Sequence, residues 1–254
     1  MALLSVKDIH KSFGGVKAIQ GFSLEAEPGE IHGIIGPNGA GKTTIFNAIS
    51  GVYVPEQGSV TLDGVDITRM EQHKITRLGM GRTFQNIRLF KGLTVEENVM
   101  CAFDPQSRYS ILGGLLPTPA RRAEEARGRE LCRHYLEVVG MKDYMRERPE
   151  NLAYGMQRRI EIARALMCEP KILLLDEPAA GLNPTEVAEL MELIQRISKE
   201  IGFGILLIEH RLELVMNVSD LIHVQNFGKT IAVGTPEQVQ HNPEVIEAYL
   251  GKED

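Results

Sequence analysis

The sequence predicts an α/β fold with a mainly parallel sheet, an N-terminal antiparallel β subdomain and an inserted helical subdomain. Short apolar runs at residues 31–35, 80–84, 172–175, 205–208 and 221–224 are bounded by glycine or charge, as central strands covered on both faces are. Helical stretches alternate with these runs, the order expected of a parallel sheet. Between residues 86 and 151 the strand signal stops and charged, helical sequence replaces it.

Residues 3–9, 22–26 and 60–62 read as exposed or half-buried strands of the N-terminal subdomain. The strand at 31–35 runs into a glycine-rich turn, and a helix leaves that turn from Lys42. After the 80–84 strand, Thr94 and Glu97 have the spacing of a capping box for a helix running to about residue 103. Residues 104–119 are rich in Gly, Pro and Ser, and residues 120–139 form a charged helix. Its mixed charges, including Glu124, Glu125 and Glu130, fit a solvated face. A helix over 156–167 carries Ile160, Ala163, Leu166 and Met167 at core-facing spacing. Asn183-Pro184 places an N-cap before a proline at the first helical position, and Thr235-Pro236 repeats the device. One domain over residues 1–254 is expected, with its core at 1–85 and 159–254 and the insert at 86–158.

The chain has 254 residues, 43% of them hydrophobic and 24% charged, so its length supports a core without disulfides or metals. A net charge of −6 and the absence of tryptophan argue against a nucleic-acid surface. Cys101, Cys132 and Cys168 lie far apart and in no metal-ligand spacing, which fits reduced thiols packed as small hydrophobes. Residues 1–13 show no basic-then-apolar leader, and no run approaches the ~20 apolar residues that span a bilayer, so a soluble chain is expected.

Gly36-Pro37-Asn38-Gly39-Ala40-Gly41-Lys42-Thr43 matches the phosphate-loop pattern and has a strand before it and a helix after it. Its glycines permit backbone conformations in which successive N–H groups converge on phosphate oxygens. The helix start adds partial positive charge there. Lys42 supplies a point charge to the β- and γ-phosphates, the Thr43 hydroxyl is a Mg²⁺ ligand, and Thr44 continues the cradle. The apolar strand at 172–175 ends in Asp176-Glu177, at the edge where open α/β sheets bind ligands. Asp176 is read as holding the Mg²⁺ shell and Glu177 as the base for an attacking water. A plain glycine turn and a solvated acidic strand end are the competing readings.

Together these residues resemble the ATP-binding cassette (ABC) family over nearly the whole chain. The resemblance implies a P-loop NTPase (RecA-like) core that binds MgATP. It also implies two cassettes meeting head to tail, each ATP lying between one chain's phosphate loop and the other's signature segment. Asn151-Leu152-Ala153-Tyr154-Gly155 stands at that signature, with Leu152 and Gly155 matching. Ala153 replaces the usual Ser and Tyr154 a Gly, so contact across the dimer falls to the backbone and helix start of Ala153, Tyr154 and Gly155. Gln85 matches the family's glutamine near Mg²⁺ and the attacking water, where the alternative is a surface glutamine. His210 matches the histidine that contacts the γ-phosphate, where the alternative is a structural role. Phe13 matches the aromatic that stacks on adenine, where the alternative is a core aromatic. Asn183 stands where Asp is frequent.

The altered signature, the stretch after it and Lys11-Ser12-Phe13-Gly14-Gly15 look like the ATPases of branched-chain amino-acid importers, the LivG type. That type implies two integral-membrane permease subunits, a second ATPase (a related cassette or a second copy) and, indirectly, a periplasmic solute-binding protein. It places the chain on the cytoplasmic face of a bacterial inner membrane, with no nucleic-acid partner. Urea or amide importers and export or lipid-extraction systems are the alternatives within transporters. DNA- or ribosome-associated ABC ATPases and P-loop kinases are the alternatives outside them. Asn86-Ile87-Arg88-Leu89-Phe90, directly after Gln85, offers apolar residues either to a permease helix or to internal packing.

Overall fold

The computed structural model describes residues 2–103 and 119–250. Two compact units emerge: Met1–Gln85 with Pro170–Asp254, and Asn86–Glu169. The insert therefore closes at Glu169 where the sequence reading placed its end at 158. The helix Tyr154–Leu166 crosses residue 158 unbroken, and a continuous helix moves as one element.

The first unit opens with long antiparallel strands, β1 (Leu4–Phe13) and β2 (Val16–Ala26), joined through β4 (Gln57–Leu62) to the short β5 (Val65–Asp66) in the order β2-β1-β4-β5. A second sheet has the order β10-β9-β3-β8-β7-β6. It contains β3 (Ile31–Ile35), β6 (Met80–Arg82), β7 (Ile172–Asp176), β8 (Gly204–Ile208) and β9 (Leu221–Asn226), all mutually parallel. Every residue of β3, β7 and β8 is buried, which is why these strands read as unbroken apolar runs. Helix α1 (Lys42–Ile49) turns Ile45, Phe46 and Ile49 into a core shared with Leu4, Phe22 and Leu62 of one sheet and Ile34, Leu174 and Leu206 of the other.

Two strands escaped the sequence reading. The edge strand β10 (Lys229–Gly234) pairs antiparallel with β9 and is mostly exposed or half-buried, so it carries no apolar run. The two exposed residues of β5 are similarly silent. The expected 80–84 strand stops at Arg82, although the Thr83 N–H still donates to the Leu174 carbonyl at 2.9 Å. The short helix α2 (Gln72–Arg77) was also unread.

Within the second unit, α3 (Val95–Met100), α4 (Pro119–Val138) and α5 (Tyr154–Leu166) pack on one another. Val95, Val99, Leu136, Ile160, Ala163 and Leu166 are buried there, and no strand occurs among its described residues. The Thr94–Glu97 capping box forms as expected. Most of the Gly- and Pro-rich stretch at 104–119 lies outside the described residues. The cysteines are free thiols, with Cys132 buried. No helix among the described residues is long and apolar enough to cross a membrane.

Candidate active site

β3 carries the chain out of the core into Gly36, Gly39 and Gly41, whose φ angles are 150°, 81° and 98°. A Cβ on Gly36 would lie 2.1 Å from the Gln225 carbonyl oxygen, and one on Gly41 2.1 Å from that of Ala18. The loop is wedged between β2 and β9, and no other residue type fits those two positions. Lys42 begins α1, and its ammonium donates to the carbonyls of Gly36 (2.7 Å) and Pro37 (3.0 Å). Burial lowers the Lys42 pKa, and the Glu177 carboxylate opposes that shift. Lys42 as a whole is 5% exposed, folded over the loop. A cleft of about 500 Å³ opens there, lined by Asn38 to Thr44 and also by Glu177 and His210.

β6, β7 and β8 end side by side and bring the remaining candidates together. The Glu177 backbone turns sharply at φ 47°, with its N–H donating to the Ile208 carbonyl at 2.8 Å. That turn aims the carboxylate between two partners. Oε1 lies 2.7 Å from His210 Nε2, and Oε2 accepts from Gln85 Nε2 at 2.7 Å. Glu177, Gln85 and His210, distant in sequence, thus form one hydrogen-bonded triad. Asp176 lies just behind, 5% exposed, accepting from Arg82 Nη2 at 3.0 Å. Arg82 also donates to Asn47 Oδ1 (2.9 Å) and Ser50 Oγ (2.7 Å) of α1 and its cap, so it ties the acidic strand end to the phosphate-loop helix.

The sequence reading missed Arg82 and also Glu209, which is 3% exposed. Glu209 Oε1 accepts from the Ala179 N–H (2.6 Å), and Oε2 accepts from the N–H groups of His210 (3.0 Å) and Arg211 (3.3 Å). Burial pushes its pKa up against the pull of these donors. One buried carboxylate therefore fixes the turn after Glu177 and the backbone of His210. Arg211 Nη2 donates to the Leu182 carbonyl (2.7 Å), and Asn183 with Glu186 forms a capping box on α6 (Pro184–Ile201). A charged residue directly before a candidate histidine was the only sequence signal for Glu209.

Phe13 stands apart from the cleft lining. Its ring lies edge-on to Tyr53 at 5.1 Å, with the Lys11 ammonium 5.6 Å from its centroid. Val16, Lys17, Gln20 and Phe227 line the cleft beyond the loop. In the second unit Ala153 is the N-cap of α5 and makes no side-chain cap bond; Tyr154 is exposed and Gly155 buried. Beneath Tyr154, Arg158 and Glu161 form a buried ion pair at 2.6 Å.

This phosphate loop, acidic strand end and helical insert define a P-loop ATPase. A family model described as ABC transporter matches residues 19–180, and one described as branched-chain amino acid ATP-binding cassette transporter matches residues 229–254. The chain belongs to the ABC transporter family and is an ATPase whose hydrolysis is coupled to transport. It is 47% identical over 250 residues to the high-affinity branched-chain amino acid transport ATP-binding protein BraF of Pseudomonas aeruginosa, with 98% of each chain covered. It is 46% identical, at the same coverage, to LivG of Escherichia coli K12. A crystal structure of a nucleotide-free ATP-binding cassette from an ABC transporter matches with a TM-score of 0.85 at 32% identity, covering 99% of this chain and 100% of that one. The ADP conformation of the cassette MJ1267 matches equally well.

Proposed function

We propose that this chain drives a branched-chain amino-acid importer by hydrolysing MgATP. The transport assignment is supported by similarity to BraF and LivG along 98% of the chain, together with the C-terminal family match. The chemistry is carried by one observation: the Glu177 carboxylate lines the phosphate-loop cleft while held at both oxygens by Gln85 and His210.

Two donors on one carboxylate fix its orientation, as a general base requires. On attack, the water oxygen bonds to the γ-phosphorus, the bond to the β–γ bridging oxygen breaks, and Glu177 takes the proton. ADP and inorganic phosphate leave. Lys42 is already buried over the loop, and its ammonium exchanges two loop carbonyls for phosphate oxygens. The Thr43 hydroxyl, the carboxylate of Asp176 and the side-chain oxygen of Gln85 are hard oxygen donors that suit Mg²⁺. Bound Mg²⁺ would neutralise phosphate charge. Arg82, bonded to Asp176, sets where that carboxylate points.

The α5 start at Ala153, Tyr154 and Gly155 serves a second cassette's γ-phosphate through its backbone N–H groups, since Ala153 supplies no hydroxyl. Two permeases, a second cassette and a solute-binding protein complete the system, with this chain peripheral at the cytoplasmic face of the membrane.

Glu177→Gln tests the chemistry. MgATP binding should persist, turnover should drop about 10²- to 10⁴-fold, and a nucleotide-bound dimer should accumulate. Normal turnover would overturn the base assignment. Uptake of labelled leucine by vesicles containing the full complex tests the solute; urea uptake without leucine uptake would reassign it.

A further inference from the structure

Helix α5 buries a carboxylate in its middle. Glu161 lies between Ile160 and Ile162, all three are buried, and it is only 1% exposed. Its Oε2 accepts from Arg158 Nη1 at 2.6 Å. Its Oε1 pairs with Arg164 Nη2 at 3.7 Å and accepts from the Arg88 N–H at 3.4 Å. Arg164 Nη1 donates in turn to the Arg88 carbonyl. Burial raises the Glu161 pKa against the pull of Arg158 and Arg164. A buried ion pair is a poor source of stability, because apolar residues of similar volume often replace it at no cost. Its presence here calls for another reason.

That reason lies in what the pair holds. Arg88 belongs to the 86–90 loop, none of which is helix or strand. Both polar groups of the Arg88 backbone are bonded to side chains of α5, and both of Phe90 to Asn98, a fully buried residue of α3. A loop without regular structure is thereby fixed at alternate residues, while the Phe90 side chain stays exposed. At its other end the network reaches the start of α5. The Arg158 guanidinium, itself buried, lies 6.0 Å from the centroid of the Tyr154 ring.

Resting on the transport reading above, we propose that Glu161 is a positioning residue that clamps the 86–90 loop to α5, so that the loop moves with the helix start when the second cassette's ATP binds or leaves. The link is contiguous, running from Tyr154 through Arg158 and Glu161 to Arg88, and all four residues lie in one compact unit. An apolar side chain at 161 could fill the same space, but it could not accept from the Arg88 N–H. Arg164 would then hold the Arg88 carbonyl without the carboxylate that orients it. Packing explains a buried residue at 161, and the clamp explains an acceptor there.

The test uses two double variants. Arg158→Met with Glu161→Leu replaces the ion pair by apolar residues of similar volume, and Tm should stay within about 4 °C of the native value. Arg158→Met with Glu161→Gln removes the charges but keeps an oxygen acceptor for Arg88. In the isolated chain, backbone hydrogen exchange at 86–90 should quicken about 10- to 150-fold in the Leu variant, the range for losing a hydrogen bond to a charged group, with exchange in α3 unchanged. The Gln variant should recover most of that protection. In complexes reconstituted with the permeases, labelled leucine taken up per ATP hydrolysed should fall about fivefold or more in the Leu variant. A merely structural role would lower uptake and hydrolysis together and leave that ratio alone. Unaltered exchange at 86–90, or an unaltered ratio, overturns the proposal. Faster exchange throughout α3 and α5 also overturns it, because the pair would then be holding the fold. Equal exchange in the Leu and Gln variants overturns it too, since the acceptor would not matter. A native complex that hydrolyses ATP without taking up leucine overturns the solute reading instead, and the exchange result still decides the clamp.

Discussion

Replacing Glu209 with alanine removes the acceptor shared by three backbone donors, the N–H groups of Ala179, His210 and Arg211. The site is 3% exposed, so water reaches the stranded donors poorly. At about 1–2 kcal/mol for each orphaned N–H, the loss is about 3–6 kcal/mol. Relief of the carboxylate's own desolvation, visible in its raised pKa, returns part of this. A net cost of about 2–4 kcal/mol remains, worth a fall in Tm of about 5–15 °C in a domain of this size. The damage should fall on hydrolysis more than on binding. Ala179 follows Glu177 closely and His210 donates its own N–H, whereas the phosphate loop has no bond to Glu209. Thermal unfolding together with steady-state ATPase assays checks this: kcat should fall at least tenfold with KM for ATP nearly unchanged. A Tm within 2 °C of the native value and an unchanged kcat would refute the reasoning.

Three further perturbations follow. His223 is 4% exposed beside His32, whose other ring nitrogen faces Glu30, and burial holds its pKa down at about 4 against 6.5 when free. The unfolded chain then binds the extra proton first, so stability should fall as pH drops from about 6.5 towards 4, by about 3 kcal/mol in all. Urea midpoints at pH 7 and 5 should therefore differ less in His223→Asn than in the native chain; an equal difference would exclude His223 as the cause. Asn183→Ala breaks the capping box on α6 and should cost about 1 kcal/mol in urea unfolding, and a loss below 0.3 kcal/mol would show the cap to be idle. Leu89→Glu charges a half-buried position in the loop whose Phe90 backbone is held at both ends by Asn98. Reconstituted complexes should then hydrolyse ATP with little solute uptake, and undiminished uptake would place the permease contact elsewhere.

Much of this was legible from residues alone because its causes are local. The glycines at 36, 39 and 41, the lysine that starts α1 and the Asn183 and Thr235 caps each reflect a conformational demand met within a few residues. The β3, β7 and β8 runs advertise themselves because burial on both faces leaves no polar position. The β10 edge strand was silent for the converse reason: its partner lies on one side only, and its exposed residues carry no period.

By itself the sequence determined the fold class, the phosphate loop, the acidic strand end and the residue types available for chemistry. Tertiary structure alone decided how they meet. Arg82 reaches Asp176 across 94 residues, and Gln85 reaches Glu177 across 92, because parallel pairing of β6 with β7 aligns their ends. Register fixed by long-range pairing leaves no mark on either residue's neighbours.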